Sequence, residues 1–360
     1  MHIHNYFKFK KNGKAIISMV SIRTIAEECG VSIATVSKAL NNHNDVGEKT
    51  KKLVLDTAKR LGYTPNAQAR ALKTNKTYNV GVLLNDKANS GLTHAFFSAV
   101  LDGFRVGCAN QGYDITLINL LSSQVGISKM NSYEHCKYRN VDGVLLACVD
   151  FYSKDTRELL DSEIPVVSID FRREKCYSVS SDNAGGMRSL IEYIHNCGHE
   201  RIAYIYGESS QVTTTRLNSY LDTMKALGLQ VQPDYLRQGK YTDSALTEKY
   251  MTEMMELYTP PTCIIVPDDV AAIGAINAVR KAGMSIPEDI SVVGYDGIGM
   301  VQLFEPKLTT YCQDAYEMGR MAANKLVRVI QKKNSSDTDE DYDTIVKGRL
   351  IEGNTVKYII

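Results

Sequence analysis

The stretch Ile22-Arg-Thr-Ile-Ala-Glu-Glu-Cys-Gly-Val-Ser-Ile-Ala-Thr-Val-Ser-Lys-Ala-Leu-Asn41 decides how this 360-residue chain is read. Ile22, Ile25, Ala26 and Cys29 recur at i, i+3, i+4 and i+7, one apolar stripe of a short helix that Ser21 can cap. Gly30 supplies the positive φ of a tight turn, and Val31 can plug the angle between two helices. Ser32 then caps a second helix whose Val36, Ala39 and Leu40 face inward, leaving Ile33, Ala34, Thr35, Ser37 and Lys38 outward. Asn41 to Asn44 end that helix. A third is expected over about 48–62, with Leu53, Val54, Ala58 and Leu61 as its core stripe. Three short helices with a tight turn between the first two make a helix-turn-helix module.

Working outward, charge separates this module from the rest. Residues 1–76 hold 14 Lys/Arg against 5 Asp/Glu, a net +9, whereas the remainder holds 28 against 36, a net −8. A basic module joined to an acidic body points to a polyanionic partner for the first part only. The 44% hydrophobic and 23% charged content is that of an ordinary globular protein, and the length suits two or three domains. No run of about 18 apolar residues occurs, so no membrane span is expected. The eight cysteines are scattered with no CxxC pair and read as reduced thiols, which makes the cytoplasm the expected location and disulfide frameworks, metals and cofactors unexpected. Residues 1–18 precede Met19; they are expected to be a non-native or disordered leader, with Met19 as the start.

The quoted stretch, followed by Leu61-Gly-Tyr-Thr-Pro-Asn-Ala-Gln-Ala-Arg-Ala-Leu-Lys73, closely resembles the headpiece of the LacI/GalR repressor family. Two motifs in order and at the family's spacing make the resemblance specific. It implies a sequence-specific transcription regulator whose partner is double-stranded operator DNA. Residues 33–40 would then lie in the major groove, with Ser32, Thr35, Ser37, Lys38 and Asn41 near base edges or phosphates. Ile33 and Ala34 have only apolar surface to offer, such as to a thymine methyl. Segment 66–73 matches the family's hinge helix, and Leu72 its minor-groove wedge, flanked by Arg70 and Lys73. Thr50, Asn66 and Tyr63 would add backbone contacts, although Tyr63 suits the core equally well. Gly47 stands where a capping Ser is commoner in the family.

Beyond a polar linker ending at Thr77, strands and helices alternate. Strands are expected at 79–84, 114–118, 143–147, 166–169, 201–206, 263–266 and 290–295, and helices at 95–111, 183–197, 211–227, 243–257 and 270–283. This alternation predicts an α/β body of doubly wound parallel sheets, and about 280 residues suit two lobes better than one. The resemblance implies a periplasmic-binding-protein-like pair of lobes joined by three crossovers, here set near 180, 310 and 333. That divides the chain into a headpiece at 19–65, a hinge and linker at 66–77 and a body at 78–360. Lobe 1 is expected at 78–179 and 311–332, and lobe 2 at 180–310 and 333–360, with a final strand at 345–351.

Ligands of open parallel sheets bind at strand carboxyl ends. Those ends carry Asn85-Asp86, Asp150, Asp170-Phe171, Asp268-Asp269 and Asp296. Carboxylates and amides converging from two lobes suit a polyhydroxylated ligand, on which Phe171 or Phe97 could stack. Asp269 is as good an N-cap as a ligand group, and Asp182-Asn183 suits a cap or hinge. The resemblance adds Arg216 as an effector clamp, Asp296 as the family's late-strand ligand group, Asp268 in place of the usual Asn, and Gln313 at the last crossover. It also implies a homodimer, since a symmetric operator needs two headpieces. The expected effector is a small polar molecule, a sugar or sugar derivative. An enzyme is disfavoured because GxSxG, HExxH and GxxxxGK are all missing. A free-standing sugar transport protein is disfavoured by residues 20–76.

Overall fold

Ser21 Oγ accepts from the Thr24 amide at 3.3 Å, and the Thr24 hydroxyl reaches back to the Ser21 amide, a reciprocal cap that starts α1 (Ile22–Cys29). Gly30, at φ 64°, ends it in the left-handed conformation that costs a residue without Cβ nothing. Ser32 caps α2 (Ile33–Leu40), and α3 (Glu48–Leu61) follows without a side-chain cap because Gly47 has none to give. Ile25, Ala26, Val36, Ala39, Val46, Val54 and Ala58 close a small core. Leu53 departs from its expected place: it is 49% exposed. The inward stripe of α3 runs through Val54, Thr57 and Ala58, and Leu53 lies about 100° around the helix from Val54.

This structure is a computed structural model that describes residues 8–11, 14–17, 20–64, 71, 76–84, 91–118, 130–303, 305–332 and 341–359. The chain divides into two units, Met1–Thr77 and Tyr78–Ile360. In the first, β1 (Lys8–Lys11) and β2 (Lys14–Ile17) pair antiparallel, with Lys11 opposite Lys14. These residues lie in the segment read as a non-native or disordered leader.

In the second unit, lobe 1 is built from β3 (Asn79–Leu84), α4 (Ala95–Ala109), β4 (Asp114–Ile118), α5 (Ser132–Tyr138), β5 (Val144–Ala147), α6 (Lys154–Leu160), β6 (Val166–Ile169) and β7 (Tyr177–Ser181). Lobe 2 continues with α7 (Asn183–Asn196), β8 (Ile202–Tyr206), α8 (Gln211–Ala226), β9 (Leu236–Gln238), α9 (Ser244–Met255), β10 (Cys263–Ile265), α10 (Asp269–Lys281), β11 (Ser291–Asp296) and β12 (Thr309–Cys312). Then α11 (Ala315–Lys332) and β13 (Asp343–Val346) return to lobe 1, and β14 (Arg349–Ile351) ends in lobe 2. The sheet orders are β13-β7-β6-β5-β3-β4, parallel throughout, and β14-β12-β11-β10-β8-β9, parallel except for the β12–β14 pair.

Strand alternation dictates the layering. On β8, Ile202 and Tyr204 pack on one face of the sheet with α7 and α8, while Ala203 and Ile205 pack on the other with α9 and α10. On β5, Leu145 and Ala147 face α4 and α11, while Val144 and Leu146 face α5 and α6. Both sheets are thus covered on both faces, the doubly wound arrangement.

The crossings fall at Asp182, at Gln313-Asp314 and at Lys347-Gly348. The last corrects the position near 333: β13 pairs with β7, so residues 343–346 belong to lobe 1. The single expected final strand is two strands in different sheets. The break lies at Gly348, where an added Cβ would come within 2.3 Å of the Cys312 carbonyl oxygen. Among the described residues no helix is long and apolar enough to cross a membrane.

Candidate functional site

The first candidate surface is the exposed side of α2. Ile33 and Ala34 project into solvent, Ile33 at 45% exposure, while Thr35 and Ser37 are half-buried. An isoleucine left this open on an eight-residue helix forfeits burial worth about 1 kcal/mol. Ser32 is occupied as the cap: its Oγ accepts from the Thr35 amide at 3.0 Å and lies 2.9 Å from the Thr35 hydroxyl. Lys38 is ion-paired with Asp45, which holds the Asp45 carboxyl below its ordinary range. Asn41 is exposed and donates through Nδ2 to the Ser37 carbonyl at 2.7 Å. Thr50 is half-buried in the first turn of α3, and Tyr63 packs against the headpiece core. Asn66, Arg70, Leu72 and Lys73 lie outside the described residues.

The second candidate is a cavity of about 230 Å³ between the carboxyl ends of the two sheets. Lobe 1 contributes Phe97 from α4, Asp150 to Tyr152 after β5, and Asp170-Phe171 after β6. Lobe 2 contributes Glu208 to Val212 after β8, Arg216 from α8, Tyr241, Asp296 and Gln313. Three of the strand-end residues, Cys148, Asp170 and Asp296, hold positive φ angles of 53°, 55° and 106°. Side chains adopt that region at a cost of roughly 1–3 kcal/mol, and such strain clusters at functional sites.

Arg216 is 3% exposed. Its Nε donates to Asn183 Oδ1 at 2.7 Å and its Nη1 to the Pro267 carbonyl at 3.3 Å, while its guanidinium lies 3.6 Å from the Tyr295 ring centre. Asn183 in turn donates to Asp170 Oδ1 at 3.4 Å, so one chain of bonds runs from lobe 2 to lobe 1. Asp170 also accepts from the Ser181 amide, yet burial pushes its carboxyl up to about 6. Asp296 accepts from Gln313 Nε2 at 2.6 Å, and burial drives its carboxyl well above the ordinary range. Across the cavity rim, Gln211 bonds twice to the Arg172 backbone. Its Oε1 accepts from the amide at 2.8 Å and its Nε2 donates to the carbonyl at 3.0 Å.

Six of the eight residues named from the sequence as effector contacts line this cavity without qualification. Phe171 lines it with one ring face already covered, stacked parallel on Phe151 at 4.1 Å. Asp268 does not line it. It caps α10 through the Ala271 amide at 2.8 Å and holds the Thr242 amide at 2.6 Å. Asp269, weighed as either cap or ligand group, is a strut: its carboxylate accepts from Thr310 Oγ1 and the Ile298 amide, and burial pushes it up to about 7. Asn85-Asp86 lie outside the described residues. Sequence reading missed His94, Phe151, Tyr152, Glu208, Gln211 and Tyr241. Phe151-Tyr152 directly after Asp150, and Glu208 two residues past β8, were available signals at strand carboxyl ends.

Residues 21–66 match the model for bacterial regulatory proteins of the lacI family, and residues 191–356 a periplasmic binding protein-like domain. The HTH-type transcriptional repressor PurR of Pasteurella multocida (strain Pm70) is 31% identical over 322 residues, 88% of this chain and 93% of that protein. A lac repressor dimer bound to operator and the anti-inducer ONPF superposes with TM-score 0.77 at 22% identity, over 94% of this chain and 100% of that one. The transcriptional regulator CelR in complex with cellobiose gives 0.64 at 24% identity, over 93% and 99%. At those identities the two structures show the shared fold, whereas the likeness to PurR extends along nearly the whole sequence. The chain belongs to the lacI family of bacterial regulatory proteins, which are DNA-binding transcription regulators and not enzymes.

Proposed function

We propose that this protein is a cytoplasmic, homodimeric repressor that releases or grips its operator according to a small polar effector, a carbohydrate by class, bound between the two lobes. The observation that carries this reading is the cavity itself, because residues from both lobes converge there on one ligand-sized space. Hydroxyl-rich ligands suit it: carboxylate and amide oxygens accept from adjacent hydroxyls, while the Phe97 ring offers an apolar face to a pyranose. CelR, with cellobiose in its complex, and the lac repressor, dimeric on its operator, support the sugar and the dimer by likeness.

On the DNA side, Ile33, Ala34, Thr35, Ser37 and Lys38 would read the major groove, with Asn41 and Thr50 at the backbone. Lys38 would exchange Asp45 for a phosphate. Leu72, between Arg70 and Lys73, would wedge the minor groove, and Asn66 would contact the backbone before it. A ligand that bridges Asp150, Asp170 and Phe171 on one lobe and Arg216, Asp296 and Gln313 on the other favours one lobe arrangement. The headpieces follow through the linker. By linkage, effector and operator then change each other's affinity by the same factor.

The test is binding of the full chain to DNA upstream of its own gene, at stated salt, with and without sugars and nucleosides. One palindromic site whose affinity shifts with a sugar is the expected result. A site whose affinity no ligand changes would remove the effector control, and no preferred site would remove the repressor reading.

A further inference from the structure

Among the described residues, four carboxylates line the cavity: Asp150 and Asp170 from lobe 1, Glu208 and Asp296 from lobe 2. One guanidinium among the described lining residues answers them, and Arg216 already spends donors on Asn183 and Pro267 and its face on Tyr295. Gln313 supplies an independent observation. It is 6% exposed, and its Nε2 is committed to Asp296. Its buried Oε1 has no hydrogen-bond partner among the described residues. A buried acceptor in that condition calls for a donor from the ligand. The aromatic walls add a third feature, because ring faces attract cations, and more strongly out of water.

Hydroxyl groups could satisfy the acceptors, but they leave the negative charge uncompensated in a low-dielectric space. Resting on the carbohydrate reading above, we infer that the effector is a cation: a polyhydroxylated molecule bearing a protonated amino group, an amino sugar by class, whose ammonium bonds Asp296 and Gln313 Oε1. Phosphorylated sugars and uronates are rejected by the same carboxylates.

The surroundings of Asp296 act on its charge. Burial raises its carboxyl, Arg216 on α8 opposes, Asp268 and Asp269 at the head of α10 raise it further, and the Gln313 bond lowers it. Tyr241 and Tyr295 also face it and feel its charge. An arriving ammonium supplies a counter-ion for the carboxylate and offsets the cost of burying its charge.

The experiment is titration calorimetry on the full chain with matched sets: glucosamine, glucose, N-acetylglucosamine and glucose 6-phosphate, and the corresponding galactose and mannose sets. In at least one set the amine is expected to bind at least about tenfold more tightly than its neutral relatives, with the phosphate weakest. Asp296→Asn should abolish the advantage of the amine. Asp150→Asn, at an exposed position, should reduce it. A neutral or phosphorylated member binding as tightly as the amine overturns the cation and leaves the carbohydrate reading standing. No binding by any member overturns both.

Discussion

Asp170 shows at a single residue how the cavity is tuned. Its folded carboxyl stands at about 6 against an ordinary 3.8, with burial as the main cause and the Ser181 amide opposing. The folded protein therefore holds this proton more tightly than the unfolded chain does. The stabilisation is complete below the ordinary value and is lost as pH rises through about 6, on the order of 3 kcal/mol in all. Asp170→Asn keeps an oxygen for Ser181 and cannot titrate. Urea midpoints should then show wild type losing stability relative to the variant between about pH 4 and 6.5, with a constant difference above. A difference that does not change with pH would show that Asp170 titrates normally. The same physics limited what the sequence could reveal here. Asp296 was legible because it ends a strand, whereas Asp268 also ends one and turned inward to two amides. Type and position were visible; the direction of a carboxylate depends on which donors surround it.

Among elements, α4 and α11 pack more closely than ordinary side chains permit. A Cβ on Gly103 would lie 1.9 Å from the Tyr316 carbonyl oxygen, and one on Gly319 would lie 1.9 Å from that of Val100. In lobe 2, Gly274 on α10 meets the Ser244 carbonyl of α9 at the same distance. Gly103→Ala has no flexible side chain to displace, only backbone, so it should cost about 3 kcal/mol or more despite the better helix propensity of Ala. An unchanged denaturation midpoint would mean the helices slide apart freely. Hydrophobic periodicity made the longer elements legible, since β3, β6 and α7 to α10 are buried on predictable faces. It did not reveal β7, whose Tyr-Ser-Val-Ser-Ser181 is polar in composition yet buried from Ser178 to Ser181. Nor did it separate β13 from β14, although Lys347-Gly348-Arg349 interrupts the apolar residues on either side.

For the whole molecule, the +9 and −8 halves divide the work: the basic end gains counterion release on DNA, and the acidic body does not add to non-specific attraction. Replacing Leu72 with Ala should weaken binding to the specific operator far more than binding to random DNA. Equal losses on both would leave the wedge role without support. Operator affinity measured at several salt concentrations separates the two terms, since phosphate contacts set the slope and the wedge sets the offset. The paired bonds between Gln211 and the Arg172 backbone have a consequence for timing. They join the lobes at the cavity rim, so any movement of one lobe away from the other must break both. An effector that enters by such a movement meets the same step on arrival and on departure, and both are slowed together. Gln211→Ala should raise the association and dissociation rate constants together in stopped-flow measurements while the dissociation constant moves little; a change confined to dissociation would make Gln211 a ligand contact instead. A sensor gated this way averages over brief fluctuations in its signal and responds to the level that persists.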